Sequence, residues 1–162
     1  MNPCEIVKCF DKDGRPFEVE ERSIDCLSQL MHMYGNFFPR AISQGLPPSN
    51  DVDLKGWVCK LLDSGWNFVC RQDGMVVGHA AVLPDLKKAD GEYVVFVLQA
   101  YRNKGLGTVL TEAAMRKAEI EGLEIMWLTV EAFNFRAIKV YKKVGFEFCD
   151  ECERERTMVL RL

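Results

Sequence analysis

With 162 residues, the chain has room for one domain, because domains run to roughly 100–200 residues, and this excludes a multi-domain machine. Hydrophobic residues make up 48% and charged residues 28%, the proportions of an ordinary globular protein that buries about 70% of its unfolded surface without staples. Against 21 lysines and arginines stand 24 aspartates and glutamates, so the formal charge of −3 supplies no general pull toward nucleic acid or anionic membrane, and a phosphate-bearing ligand needs a local site.

Apolar and polar residues alternate through Ile6-Val7-Lys8-Cys9-Phe10 and through Phe17-Glu18-Val19-Glu20, with Asp13-Gly14 between them; this predicts an opening hairpin. Ser23 as N-cap, then Leu27, Leu30, Met31 and Tyr34 at helical spacing before Gly35, predict a first helix. After a stretch broken by Pro39, Pro47 and Pro48, a second apolar stripe of Leu54, Trp57, Val58, Leu61 and Leu62 ends near Gly65, as a second helix would. Strands over 66–70 and 75–83 flank the turn Gln72-Asp73-Gly74, and the second is almost wholly apolar, which suits a central position in a sheet. Residues 84–91 read as a charged connector. A strand over 92–98, a loop over 99–104, a helix from Gly105 to Glu121 and a strand over 124–130 follow, then a short helix from Phe135 to Val144 and two last strands over 146–149 and 157–162.

The order is ββααβββαβαββ. The β-α-β crossover makes strands 92–98 and 124–130 parallel, in a mixed sheet of about seven strands flanked by helices. The expected fold class is α/β (α+β), three layers, one domain over residues 1–162.

The cysteine count is odd, at seven, in a chain large enough to fold without disulfides, so the thiols read as reduced and the protein as cytoplasmic. Charged residues interrupt the N-terminal stretch before an apolar run can form, unlike a secretory signal. No segment approaches the roughly 20 apolar residues of a membrane span. Cys149-Asp150-Glu151-Cys152 has C-x-x-C spacing, yet no second cysteine or histidine pair stands beside it to complete a zinc site. No metal is expected.

One segment carries a binding signal. Arg102-Asn103-Lys104-Gly105-Leu106-Gly107-Thr108 joins a predicted strand to the first turn of a predicted helix. Unpaired N–H groups at a helix start bind phosphate oxygens, and glycines let the anion approach the backbone. Arg102 and Lys104 add charge. The spacing is neither G-x-G-x-x-G nor G-x-x-x-x-G-K-[ST], which weighs against a dinucleotide or a nucleoside triphosphatase site.

The same residues resemble the R/Q-x-x-G-x-G/A signature of the GNAT superfamily of N-acetyltransferases. A second block, Asn134-x-x-Ala137-Ile138-x-x-Tyr141-x-Lys143-x-Gly145-Phe146, resembles that superfamily's N-x-x-A-x-x-x-Y-x-x-x-G-F block. The resemblance implies a single GNAT domain in which acetyl-coenzyme A lies in a cleft where the parallel strands splay at a bulge. It implies cofactor contacts from Val95, Val97, Arg102, Asn103, Lys104, Gly105, Leu106, Gly107, Thr108, Asn134 and Ala137. It further implies Glu92 as the general base for an amine whose ordinary pKa lies near 10.4, and Tyr141 as the proton donor to the leaving thiolate. Asp90 and His79 are weaker base candidates; within its apolar run, His79 reads first as a hydrogen-bonded core residue. Tyr34 reads as core, and Phe37 and Phe38 as either core or acceptor wall.

The expected activity is transfer of an acetyl group directly to a primary amine of a small molecule or a protein. A homodimer is left open. The alternative is a non-catalytic acyl-coenzyme A sensor or interaction module using the same cleft.

Overall fold

The computed structural model describes residues 6–38, 40, 46–149 and 155–162. Eight strands form one sheet: β1 (Val7–Phe10), β2 (Pro16–Arg22), β3 (Trp66–Gln72), β4 (Met75–Asp85), β5 (Asp90–Val97), β6 (Ile125–Glu131), β7 (Glu147–Phe148) and β8 (Glu155–Arg161). Their spatial order is β1-β2-β3-β4-β5-β6-β8-β7. Every neighbouring pair is antiparallel except β5 and β6, which run parallel as the crossover requires. The eight strands are those of the order ββααβββαβαββ, and the smallest member, β7, is two residues long.

Helices α1 (Leu27–Gly35) and α2 (Asp51–Ser64) cover one face; α3 (Leu106–Ile120) and α4 (Phe135–Lys143) cover the other. Alternation along β5 serves both sides. Tyr93, Val95 and Val97 pack with Leu106, Leu110 and Tyr141, while Val94 and Phe96 pack with Leu30, Tyr34 and Phe37. The layers are therefore helix, sheet, helix, each interface built by one parity of the strand residues.

Three local expectations are corrected. Residues 84–91 are not a loose connector: β4 runs through Asp85 and β5 begins at Asp90. The turn between them is closed by Asp85, whose Oδ1 accepts from the N–H groups of Lys87 and Lys88 at 3.1 and 3.3 Å, with Ala89 at φ +54°. The charges marked a tight hairpin end. Ser23 caps no α-helix; it precedes a 3-10 turn, Ile24–Cys26, without a side-chain cap bond, and its hydroxyl lies 3.2 Å from Asp25. The third correction concerns the bulge. The pairing of β5 with β4 keeps one register from Asp85↔Asp90 to Gly78↔Val97; the register shift in this part of the sheet lies between Cys70 and Arg71 of β3.

The parallel strands nevertheless part. β6 pairs with β5 only at Asp90↔Ile125, Gly91↔Met126 and Glu92↔Trp127. From Leu128 onward β6 continues with β8 alone, while β5 continues with β4. The rings of Tyr93, Tyr141 and Phe146 fill the α4 side of this fork, with centroids 5.8–6.5 Å apart. Three bulky rings there are the packing reason the strands diverge without a bulge.

His79 of β4 is the core residue its apolar surroundings suggest. Its Nδ1 lies 2.7 Å from the Tyr34 hydroxyl and its Nε2 lies 3.0 Å from Asn67 Oδ1. Asn67 in turn donates to the carbonyls of Leu61 and Gly65, both at 2.8 Å, so one polar chain ties α1 and the end of α2 to the sheet. Burial pushes the imidazole from 6.5 down to about 3, which keeps the folded ring neutral. The unfolded ring takes up a proton near pH 6.5, so this contribution is whole above that pH and is lost as pH falls toward the folded value, by up to about 1.4 kcal/mol per unit. Urea unfolding between about pH 7 and about pH 5 should cost the native chain roughly 1–2 kcal/mol more than His79→Gln. Equal losses in the two proteins would contradict the assignment.

Candidate functional site

The turn that launches α3 is held open by backbone conformation. Gln99–Tyr101 form one 3-10 turn, and the N–H of Arg102 closes on the carbonyl of Gln99 at 3.3 Å. Asn103 then takes φ +63° and Gly105 φ +100°. Gly105 is the N-cap of α3 and offers no side chain to the first turn. Its carbonyl accepts from Thr108 and Val109, while among the described residues the N–H groups of Asn103, Lys104, Gly105, Leu106 and Gly107 have no acceptor. Leu106 is buried under α3 and fixes the first turn against the sheet. Successive unspent N–H groups at a helix start form an anion cradle. A Cβ on Gly107 would meet only Val97 Cγ2, at 3.8 Å, so the space above this residue is left open by the fold.

The loop's two cations are already engaged. Lys104 Nζ lies 3.0 Å from Asp13, and the Lys104 carbonyl accepts from the N–H of Lys12 at 3.1 Å, which braces the loop against the β1–β2 turn. Arg102 donates through Nε to the Val97 carbonyl at 2.8 Å and through Nη2 to the Phe38 carbonyl at 3.2 Å. Its guanidinium lies 5.2 Å over the Phe37 ring. Burial first, and the Arg136 charge second, pull its pKa below the usual arginine value. Nε and Nη2 of Arg102 are thus spent on the protein, and the run of consecutive unspent donors in the loop is main-chain.

Beyond Glu92 the edge of β5 faces the fork. The N–H of Leu98 bonds the Val77 carbonyl, and Gly78 stands opposite Val97, Ala80 opposite Val95. Because hydrogen-bonded and non-bonded pairs alternate in an antiparallel ladder, the N–H and C=O groups of Val95 and Val97 point away from β4, toward the gap. Arg102 takes the carbonyl of Val97. The wedge so formed is lined by Glu92, Tyr93, Val94, Val95, Phe96, Thr129 and Tyr141 and measures about 300 Å³ including space open to solvent.

Glu92 stands at the vertex, the last β5 residue paired with β6. Asp90 lies on the closed side of the vertex, paired with Ile125, and His79 is sealed in the core; neither lines the wedge. Tyr141 enters from α4, 7% exposed. Burial pushes its hydroxyl above the ordinary tyrosine range, so it stays protonated. No protein group among the described residues hydrogen-bonds that hydroxyl. Asn134 caps α4, its Oδ1 accepting from the N–H of Ala137 at 3.2 Å. Ala137 packs against the core. Phe37 is buried against Phe96, whereas Phe38 is 61% exposed. Of the cysteine pair, Cys149 donates to the Thr157 carbonyl at 3.6 Å, and Cys152 lies outside the described residues.

Arg136 was missed by the sequence reading. It is exposed at the start of α4, close enough to Arg102 to oppose its charge, and it forms no ion pair among the described residues. Its position inside the Asn134–Ala137 block is the signal that could have found it. Free main-chain donors at one end, an unpaired strand edge in the middle and an open position at Gly107 suit an extended ligand with a diphosphate at one end and an amide-bearing arm along β5.

Comparison with known proteins identifies the family and the fold. The model of the acetyltransferase (GNAT) family matches residues 27–146. An N-alpha-acetyltransferase of Sulfurisphaera tokodaii is 36% identical over 92 residues, which cover 49% of this chain and 55% of that protein; the match thus spans about half of that relative's length. The GNAT domain of S. lividans PAT superposes with a TM-score of 0.81 at 15% identity, covering 97% of each chain. yncA, a putative acetyltransferase from Salmonella typhimurium solved with its cofactor acetyl-CoA, has a TM-score of 0.67 at 17% identity, covering 90% of this chain and 94% of that one. At those identities the two structures establish the fold.

Proposed function

The chain belongs to the acetyltransferase (GNAT) family, and from that premise we propose that it transfers the acetyl group of acetyl-coenzyme A directly to a primary amine, on a small molecule or a protein. The observation that carries the reading is the fork: β5 presents unpaired main-chain groups beside a buried, protonated phenol and a carboxylate, with an anion cradle at its far end. When bound, acetyl-coenzyme A supplies an electrophilic thioester carbon and a thiolate leaving group. The residues around it do the rest. The N–H groups of Asn103 to Gly107 hold the diphosphate, with Arg136 adding charge. The N–H of Val95, turned away from β4 at the fork, would donate to the thioester oxygen, a contact that gains strength as charge develops there. Glu92 accepts the ammonium proton, directly or through water, so that the amine can attack. As the carbon–sulfur bond breaks, Tyr141 would give its proton to the departing sulfur and be reprotonated by the proton that the acylated nitrogen sheds.

The test is turnover. The purified, reduced protein is incubated with acetyl-coenzyme A and a panel of amines: peptides with free N-termini, lysine peptides, polyamines and amino acids. Products are read by mass spectrometry, because exposed protein thiols such as Cys149 react with thiol dyes. At least one amine class should be acetylated, with loss of the product on omitting acetyl-coenzyme A. Tight binding of the thioester with no acetylated product from any class would favour the sensor reading instead.

A further inference from the structure

Arg102 stands in the first position of the loop motif, where a cation next to a phosphate cradle invites the role of phosphate ligand. The geometry points elsewhere. Among the described residues its Nε donates to the Val97 carbonyl at the end of β5, its Nη2 donates to the Phe38 carbonyl just beyond α1, and its plane lies over the face of Phe37. Its main chain belongs to the loop that holds the cradle. One side chain thus joins the strand edge, the cradle loop and the exit of α1.

We propose that Arg102 is a positioning residue for the acceptor side of the site: it pins the α1 exit, with the exposed Phe38, against the mouth of the fork, and so governs acceptor binding more than cofactor binding. The planar fork is what makes this feasible. Nε and Nη2 donate along separate directions to two carbonyls, while the flat face rests on an aromatic ring, a combination a lysine ammonium does not reproduce. Phe37 is fixed from below by Tyr34 and Phe96, with centroids at 6.2 and 5.4 Å, so the strut acts on a rigid base. Phe38 is 61% exposed. The cradle, by contrast, needs only main-chain N–H groups, which substitution of the Arg102 side chain leaves in place.

This inference rests on the acetyltransferase reading, and the test separates the two. Arg102→Ala and Arg102→Lys are compared with the native chain by three readouts: the dissociation constant for coenzyme A by calorimetry, amide hydrogen exchange of the peptide ending at Phe38, and the KM of the best amine found in the panel. Arg102→Ala should leave the coenzyme A constant within about twofold, speed exchange at the α1 exit tenfold or more, and raise the amine KM about tenfold with a smaller change in kcat, as expected when ground-state positioning is lost. Arg102→Lys should fail to restore the exchange protection. A tenfold weaker coenzyme A affinity with unchanged exchange at Phe38 would overturn the proposal and make Arg102 a phosphate ligand. If the native chain binds no coenzyme A, the acetyltransferase reading fails, and the exchange comparison still decides whether Arg102 is the strut.

Discussion

Tyr141→Phe should lower kcat by about 100-fold or more, the scale of a lost general acid, while acetyl-coenzyme A binds within about twofold of the native affinity. The Tyr141 ring packs against Tyr93 and Phe146, and phenylalanine keeps those contacts. Its hydroxyl has no hydrogen-bond partner in the described protein, so removing it orphans no buried group and the melting temperature should hold. Only an interaction made as the thiolate departs is deleted, which lowers kcat and kcat/KM together. Because burial pushes the hydroxyl up, Tyr141 contributes no falling limb to the rate profile below about pH 10. Steady-state kinetics with the best amine, beside calorimetry of acetyl-coenzyme A, provide the check. An unchanged kcat would remove Tyr141 from the chemistry.

The second large effect is expected at Gly107. A Cβ there touches only Val97 Cγ2, at an ordinary 3.8 Å, and the residue sits in the first turn of α3, where a side chain costs the helix little. Gly107→Val should therefore fold with a melting temperature within a few degrees of the native one. Its side chain would stand over the cradle and keep an anion from the N–H groups. Losing one or two charge-assisted hydrogen bonds at about 1.5–3 kcal/mol each predicts acetyl-coenzyme A binding weaker by about tenfold or more. Gly105 makes a poorer test, because its φ of +100° strains any substituted side chain and confounds folding with binding. Native affinity in Gly107→Val would place the diphosphate elsewhere.

The crossover was legible because its signals are local. Glycine stops, the apolar stripe of α3 and the two motif blocks all lie within segments that fold on their own pattern, and Glu92, Tyr141 and the loop residues fell at or beside the fork for that reason. What the sequence concealed was set by distant partners. Nothing around Arg102 announces that its side chain meets a carbonyl 64 residues away, or that Lys104 is neutralised by Asp13 across a hairpin turn. The divergence of β5 and β6 is likewise a packing effect of three rings drawn from β5, α4 and the residue before β7, which no strand pattern encodes. The hairpin end at residues 86–89 was hidden by its charges: Asp85 organises the turn through main-chain bonds, while the run Lys87-Lys88 reads simply as solvated.

On the proposed function, the fork and the cradle bind one ligand between them. Thermal unfolding of the reduced protein, alone and with acetyl-coenzyme A, coenzyme A or ATP, tests it most directly. A ligand at about 100 times its dissociation constant adds about 2.7 kcal/mol, a rise of several degrees for a domain of this size. Both coenzyme A species should stabilise the chain by that much and ATP, which offers phosphates but no arm for β5, by far less. No rise with either coenzyme A species, or an equal rise with ATP, would contradict the account.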